Sequence, residues 1–449
     1  MSRDMDENLA PIESREQLVE YFRGGEKPCA QWGVGTEHEK FLYRRSDYEM
    51  VSYEEPGGIG EMLATLADEH GWAPSLDRGN IVALEKDSGA ITLEPGGQLE
   101  LSGAVRKTIF ETADELDAHL DLIRGLVGDR LAMVCWGLNP FFEPPDIPWM
   151  PKSRYAVMRD YLPTRGDLAH WMMKLTCTVQ ANFDYESEED AAEMMRTALL
   201  ISPIVSAIFA NSPIKAGEES GQQTYRGYLW TRTDPDRTGW PEFMYRDDWG
   251  YADYLDYILD VPMFFIRREG KYIDKSGDSF REFIEQGHDG YDATMGDFEL
   301  HLSTAFPEIR LKRFIEVRGA DAGPRDHMLA VSALWKGILY DHASRAKARD
   351  IIGEVTPERH ARLFMDAYKD GLDAEAPRGR LQELAQELVK VAGDGLDAIA
   401  EECGHDSERG FLAPAEEIAE TGVTLADKLL ADWREFDGDR KKLVEEWAL

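Results

Sequence analysis

Four segments of this chain alternate polar with apolar residues, and they constrain its fold more than any other feature. In a β-strand, residues i, i+2 and i+4 share one face. From Trp32 to Leu42, Gly35, Glu37, Glu39 and Phe41 fall on one face and Val34, Thr36, His38 and Lys40 on the other. The second run, Ile91 to Ser102, is broken by Pro95-Gly96-Gly97. Glu94 precedes that turn, and Gln98, Glu100 and Ser102 then face opposite to Leu99 and Leu101. From Met173 to Tyr185, Lys174, Thr176, Thr178, Gln180 and Asn182 alternate with Leu175, Cys177, Val179, Ala181 and Phe183. From Ile309 to Gly319, Arg310, Lys312, Phe314, Glu316 and Arg318 alternate with Leu311, Arg313, Ile315 and Val317.

Taken singly, each run reads as an antiparallel strand with one solvated face. Taken together, their polar faces are unusual for solvated surface, which tends toward Lys and Thr with mixed charge. They carry Glu-x-Glu, Glu-x5-Glu, Gln-x-Asn and Lys-x3-Glu-x-Arg instead. Paired carboxylates on one strand repel unless a cation lies between them. Oxygen-only clusters of this kind suit Mg2+, which keeps waters and substrate phosphates in its shell. The neighbouring Lys and Arg suit phosphate and carboxylate, Arg through its bidentate fork. The pattern therefore points to a concave antiparallel sheet whose inner face is an ATP–Mg2+ phosphoryl-transfer site.

The charge balance limits the partners. The chain has 50 Lys and Arg against 86 Asp and Glu, a formal net charge of -36. That argues against nucleic acid and against an anionic membrane surface, both of which need a basic surplus. Small anions remain open, provided a local site reverses the sign. The longest apolar stretch, Ala198 to Ala210, is interrupted by Ser202, Pro203 and Ser206 and is too short to span a bilayer. The acid-rich N-terminus carries no secretory signal pattern. Cys29, Cys135, Cys177 and Cys403 show no CxxC spacing, so a reducing cytoplasm is expected. The common nucleotide and catalytic signatures are absent: no P-loop, no GxGxxG, no HExxH, no GxSxG and no kinase set. His38 lies between Glu37 and Glu39 but points the other way on a strand, so it reads as structural.

Elsewhere the pattern is helical. Ser187 is a candidate N-cap for a helix over Glu186 to Ala210, which Pro203 is expected to kink or end early. Pro140 to Pro151, Gly217 to Gly221 and Thr233 to Trp240 read as loops. From about Pro324 the chain reads almost wholly helical, with Leu381, Leu384, Leu388 and Val391 forming one apolar stripe. Residues 1–323 are thus expected to form an α+β catalytic core, and 324–449 a mainly helical region packed on it as one unit.

Several motifs also carry a family resemblance, in order from about residue 30 to 345. They include Gly35-Thr-Glu-His-Glu-Lys-Phe41, Glu94-Pro-Gly-Gly-Gln-Leu-Glu100, Thr176-Cys-Thr-Val-Gln-Ala-Asn182 and Phe209-Ala-Asn-Ser-Pro213. Tyr225-Arg226, Trp230, Asp260-Val-Pro-Met263, Phe306-Pro-Glu-Ile-Arg-Leu-Lys-Arg313 and Glu316-Val-Arg-Gly-Ala-Asp321 continue the series. The chain resembles glutamate–cysteine ligase (γ-glutamylcysteine synthetase) of the plant and proteobacterial type.

The resemblance implies the fold of the glutamine synthetase and guanido kinase catalytic core: a curved antiparallel sheet holding the site, helices outside. It implies ATP-dependent joining of the L-glutamate γ-carboxylate to the L-cysteine amine through γ-glutamyl phosphate, the first step of glutathione biosynthesis. Two or more Mg2+ ions would be held by Glu37, Glu39, Glu94, Glu100 and Glu316. Thr178, Gln180 and Asn182 would line the site. Arg318 and Lys312 would contact phosphates, and Arg226 and Arg237 a substrate carboxylate or phosphate, with Arg232, Arg310 and Arg313 as alternatives. The alternatives for function are a related ligase joining glutamate to another amine, or a binding protein that kept the fold. Plant members form a redox-regulating disulfide; Cys177 matches one partner, but the other position reads Leu329, so no such switch is expected. A monomer or a homodimer fits equally.

Overall fold

The architecture is organised around one long strand, β1 (Val34–Arg44), in a computed structural model that describes residues 8–449. Its other partners in chain order are β2 (Ala73–Asp77), β3 (Asn80–Lys86), β4 (Gly89–Leu93), β5 (Leu99–Ser102), β6 (Leu131–Val134), β7 (Thr178–Phe183), β8 (Ile309–Leu311) and β9 (Ile315–Asp321). They form a nine-stranded sheet in the order β8-β9-β7-β1-β5-β4-β3-β2, with β6 beside the far end of β1. Every pairing in it is antiparallel.

β1 is buried along both faces rather than on alternate residues. Helices pack around the sheet. Those are α1 (Ile109–Val127), α2 (Glu188–Ile208) and α3 (Arg325–Leu339), with α4 (Leu381–Cys403) packed on α3. Each helix begins where its sequence supplies a cap. Thr108 and Glu111 make a reciprocal capping box at α1, and Ser187 Oγ accepts from Asp190 N (3.1 Å) at α2. α3 and α4 approach closely because both are glycine at the crossing: a Cβ on Gly395 would stand 1.9 Å from the Gly337 carbonyl.

Three local expectations are corrected. First, α2 runs through Pro203 to Ile208. Proline removes one ladder bond, but nearby carbonyls are bonded by side chains: Ser202 Oγ donates to Ala198 O (2.8 Å), and His360 Nε2 lies 2.9 Å from Leu200 O. Burial on all sides holds the helix. Although α2 is apolar enough to cross a bilayer by composition, it is a core helix here. Second, the run from Met173 begins as the end of a helix, Ala169–Leu175, and becomes a strand only at Thr178. Lys174 therefore leaves the sheet face and stacks over Trp149 instead. A short apolar–polar run fits either period, and the helix formers Met172, Met173 and Leu175 favour the helix. Third, the run Ile309 to Gly319 is a hairpin, not one strand, turning at residues 312–314.

From Arg325 onward the chain is helical except for a short hairpin, Glu375–Ala376 with Gly379–Arg380. Its stripe of Leu381, Leu384, Leu388 and Val391 is buried, and one continuous apolar core extends from the sheet into these helices. A bridge between Val134 and Ala448 brings the C-terminal residues back to β6.

Candidate active site

The strand register gathers the polar residues of the four runs onto one face. Arg310 lies opposite Glu316, and Glu316 opposite Asn182. Gln180 lies opposite Glu37, Glu37 opposite Ser102, Glu39 opposite Glu100, and Glu100 opposite Thr92. Cross-strand partners in an antiparallel pair point to the same side, so this is a row running from a cationic end to an acidic end.

At the cationic end Glu316 is the hub. Its Oε2 accepts from Arg310 Nε (2.6 Å) and Arg318 Nη1 (3.2 Å), and its Oε1 from Lys312 Nζ (2.5 Å). Burial alone would raise its carboxyl pKa, but Arg310, Lys312 and Arg318 overcome that and hold it well below the usual range. Burial and the Arg310 charge push Lys312 down to about 8. Arg318 Nη1 also donates to Gln180 Oε1 (2.5 Å), with its guanidinium near the rings of Trp230 and Phe306. The β9 bulge between Val317 and Ala320 is braced from the other side. Arg226 Nη2 donates to Arg318 O (3.0 Å) and Nη1 to Gly319 O (3.3 Å). Arg226 is aimed by its helix, Tyr225–Trp230, whose N-cap Thr224 donates to buried Asp321 (3.1 Å).

At the acidic end Glu39, Glu94 and Glu100 come together from β1, the end of β4 and β5. Burial, then the charges of Glu94 and Glu100, raise Glu39 well above the ordinary carboxyl range. Burial and the Glu100 charge lift Glu94 to about 7. Thr178 N donates to Glu39 Oε2 (3.1 Å), Ser102 Oγ to Glu100 Oε1 (3.0 Å), and Asn182 Nδ2 to Glu37 Oε1 (3.1 Å). At Glu39 and Glu94 burial and the neighbouring carboxylates outweigh the pull of Arg226 and of Arg154 and Lys152, and an all-oxygen donor set of this kind fits Mg2+. Among the described residues no three acids already stand as a preformed metal cage.

The two ends meet in a cavity of about 880 Å³, its open mouth included. Glu39, Glu94, Glu100, Thr178, Gln180, Arg226 and Arg318 line it. Glu37, Asn182, Lys312 and Glu316 share the sheet face but lie outside that lining. Glu316, which the resemblance matches to a metal ligand, has both oxygens paired with cations here. Arg237, matched to a substrate contact, lies outside that lining. It is fully buried, paired with Asp234 (2.8 Å) and packed on Phe264. His38 faces away, beside Thr36 Oγ1 (3.1 Å), and burial lowers it to about 3.

The cavity also holds residues to which the sequence assigned no role: Arg154 and Tyr155 beside Glu94, and Trp230 and Phe306 beside Arg318; Arg310, an alternative cation, is wall as well as hub. Trp230, Phe306 and Arg310 lay within the recognised motifs. Nothing in the pattern around Arg154 and Tyr155, which follow the proline-rich loop, marked them.

The profile of the family described as Glutamate-cysteine ligase family 2 (GCS2) matches residues 33–446. The chain is 40% identical over 421 residues to the chloroplastic glutamate–cysteine ligase of Nicotiana tabacum, covering 93% of this chain and 79% of that protein. It is 39% identical over 421 residues to that of Medicago truncatula, covering 93% and 81%. The crystal structure of glutamate–cysteine ligase from Francisella tularensis in complex with AMP superposes with a TM-score of 0.58 at 12% identity. The match covers 93% of this chain and 87% of that one.

Proposed function

The chain belongs to glutamate–cysteine ligase family 2, and on that premise we propose that it joins the γ-carboxylate of L-glutamate to the amine of L-cysteine. The reaction is ATP-dependent, passes through γ-glutamyl phosphate, and is the first step of glutathione biosynthesis. The observation that carries this reading is the single sheet face on which a three-cation, one-carboxylate cluster stands beside a separate group of buried, mutually repelling carboxylates.

The chemistry that such a face performs is positioning and charge compensation. Both the γ-carboxylate and the γ-phosphate of ATP are anionic, and they must approach each other. Arg318 and Arg226 line the cavity at the cationic end and present guanidinium groups to those anions. Arg310 and Lys312 hold Glu316, and Glu316 in turn fixes the Arg318 fork against Gln180. We assign Glu39, Glu94 and Glu100, with Glu37 adjoining, as the residues that would hold Mg2+. When bound, that ion supplies positive charge to the transferring phosphoryl group. Tyr155, Trp230 and Phe306 line the cavity and place apolar surface beside an acyl phosphate that hydrolysis would destroy.

ADP release with glutamate, ATP and Mg2+, compared with and without cysteine, 2-aminobutyrate or glycine, tests the reading. Release driven best by cysteine supports it. Release driven by another amine would reassign the acceptor, and no glutamate-dependent release would leave a binding protein on this fold.

A further inference from the structure

A second, solvent-open chamber adjoins the cavity and shares Arg226, Trp230, Phe306 and Arg318 with it; its interior room of about 20 Å³ suits one ammonium-sized group. Trp240 and Tyr368 complete its aromatic wall, and Glu308 is the carboxylate in its lining. Glu308 is partly exposed as a residue, yet its Oε1 is buried without a hydrogen-bond partner. The chain makes room for that oxygen. Gly319 lies on the β9 bulge, and a Cβ there would stand 1.9 Å from Glu308 Oε1. A buried carboxylate oxygen left without a donor is costly, so the position invites a cationic or hydrogen-bonding ligand.

The reaction supplies one. An amino-acid nucleophile arrives as an ammonium ion and cannot attack until it loses a proton. We propose that Glu308 receives the ammonium group of the incoming amino acid in this chamber and takes its proton as general base. The role rests on the ligase reading given above. The step balances. The ammonium gives one proton to the Glu308 carboxylate, and the freed nitrogen lone pair forms the C–N bond to the γ-carbonyl carbon. The carbon–oxygen bond to phosphate then breaks, its electron pair leaving with the phosphate, which accepts the second nitrogen proton. Glu308 returns its proton to solvent. Burial lifts Glu308 to about 7, against the opposing pull of Arg226 and Arg318, which places it in the range a general base needs near neutral pH.

Hydroxylamine separates base catalysis from structure, because it is already unprotonated at neutral pH and attacks acyl phosphates without a base. The rates of cysteine and hydroxylamine turnover are measured with glutamate, ATP and Mg2+ for the wild type, Glu308→Gln and Glu308→Asp. The ratio of cysteine to hydroxylamine turnover is expected to fall at least tenfold in Glu308→Gln and to recover in part in Glu308→Asp, which keeps a carboxylate. A ratio that stays at the wild-type value, including loss of both rates in proportion, would overturn the role, as would no recovery in Glu308→Asp. A wild-type protein that turns over neither amine would overturn the ligase reading itself, and this role with it.

Discussion

Glu39 and Glu100 stand directly opposite each other across the β1–β5 pair, both pointing into the same cavity, with Glu94 beside them. Like charges facing each other across a sheet are destabilising unless neutralised. In the metal-free protein, protons do this. Glu94 rises to about 7 and Glu39 well above the ordinary range, so both keep protons that the unfolded chain gives up near 4.5. The sign follows: a raised carboxyl stabilises the fold below its unfolded pKa, and that contribution is lost as pH rises through the folded value. Mg2+ must displace these protons, so its binding strengthens as pH rises. The rise in Tm on adding Mg2+ is therefore expected to be larger at pH 8 than at pH 6. At about 100 times its dissociation constant the ion adds about 2.7 kcal/mol. A Tm increment independent of pH would contradict the assignment.

Two glutamates on the same face are expected to respond oppositely to the same substitution. Glu39→Gln removes one of three clustered carboxylates, and the metal-free protein should melt higher while Mg2+-dependent turnover falls about 100-fold or more. Glu316→Gln leaves Arg310 and Lys312 buried without their anion, which costs roughly 3–5 kcal/mol. Thermal melts of both variants without metal decide the point. A common direction of change would show that the two ends of the face are not electrostatically distinct.

Arg318 divides one guanidinium between Gln180 and Glu316 while facing the cavity. Lysine keeps the charge but not the planar fork. Arg318→Lys is expected to lower kcat at least about tenfold with little change in Tm. Turnover within twofold of wild type would remove Arg318 from the phosphate- or carboxylate-binding set.

The four cysteines are unpaired, and Cys177 lies fully buried, its thiol pushed well up by burial. Leu329, where the resemblance would place a second cysteine, is itself in the core. Treatment with oxidised glutathione is expected to leave activity unchanged. A twofold or larger loss, reversed by dithiothreitol, would reveal a thiol switch built elsewhere.

How much of this was legible in the sequence differs from residue to residue. The alternation of Glu37, Glu39, Glu100, Thr178 and Gln180 places them on one face because the strand period is two, and pairing preserves it. Turns and partners are harder. The Lys312–Phe314 turn carries neither Gly nor Pro, so the hairpin that makes Arg310 and Glu316 neighbours leaves no mark in the pattern. The resemblance matches Glu316 to a metal ligand but gives no sign of the three cations that the hairpin gathers around it. Arg237 was a candidate site cation through the family resemblance alone, and Asp234 and Phe264 hold it in the interior. Arg154 and Glu308 reach the site only through tertiary packing of loops and a short edge, which no local spacing encodes.

The most direct test of the central claim follows the oxygen. Glutamate labelled with oxygen-18 in its γ-carboxylate is turned over with ATP, Mg2+ and cysteine, and the released phosphate is examined by mass spectrometry. An acyl phosphate formed on this face passes one γ-carboxylate oxygen to phosphate, so labelled phosphate is predicted to match γ-glutamylcysteine in amount. Unlabelled phosphate, with or without product, would contradict the account.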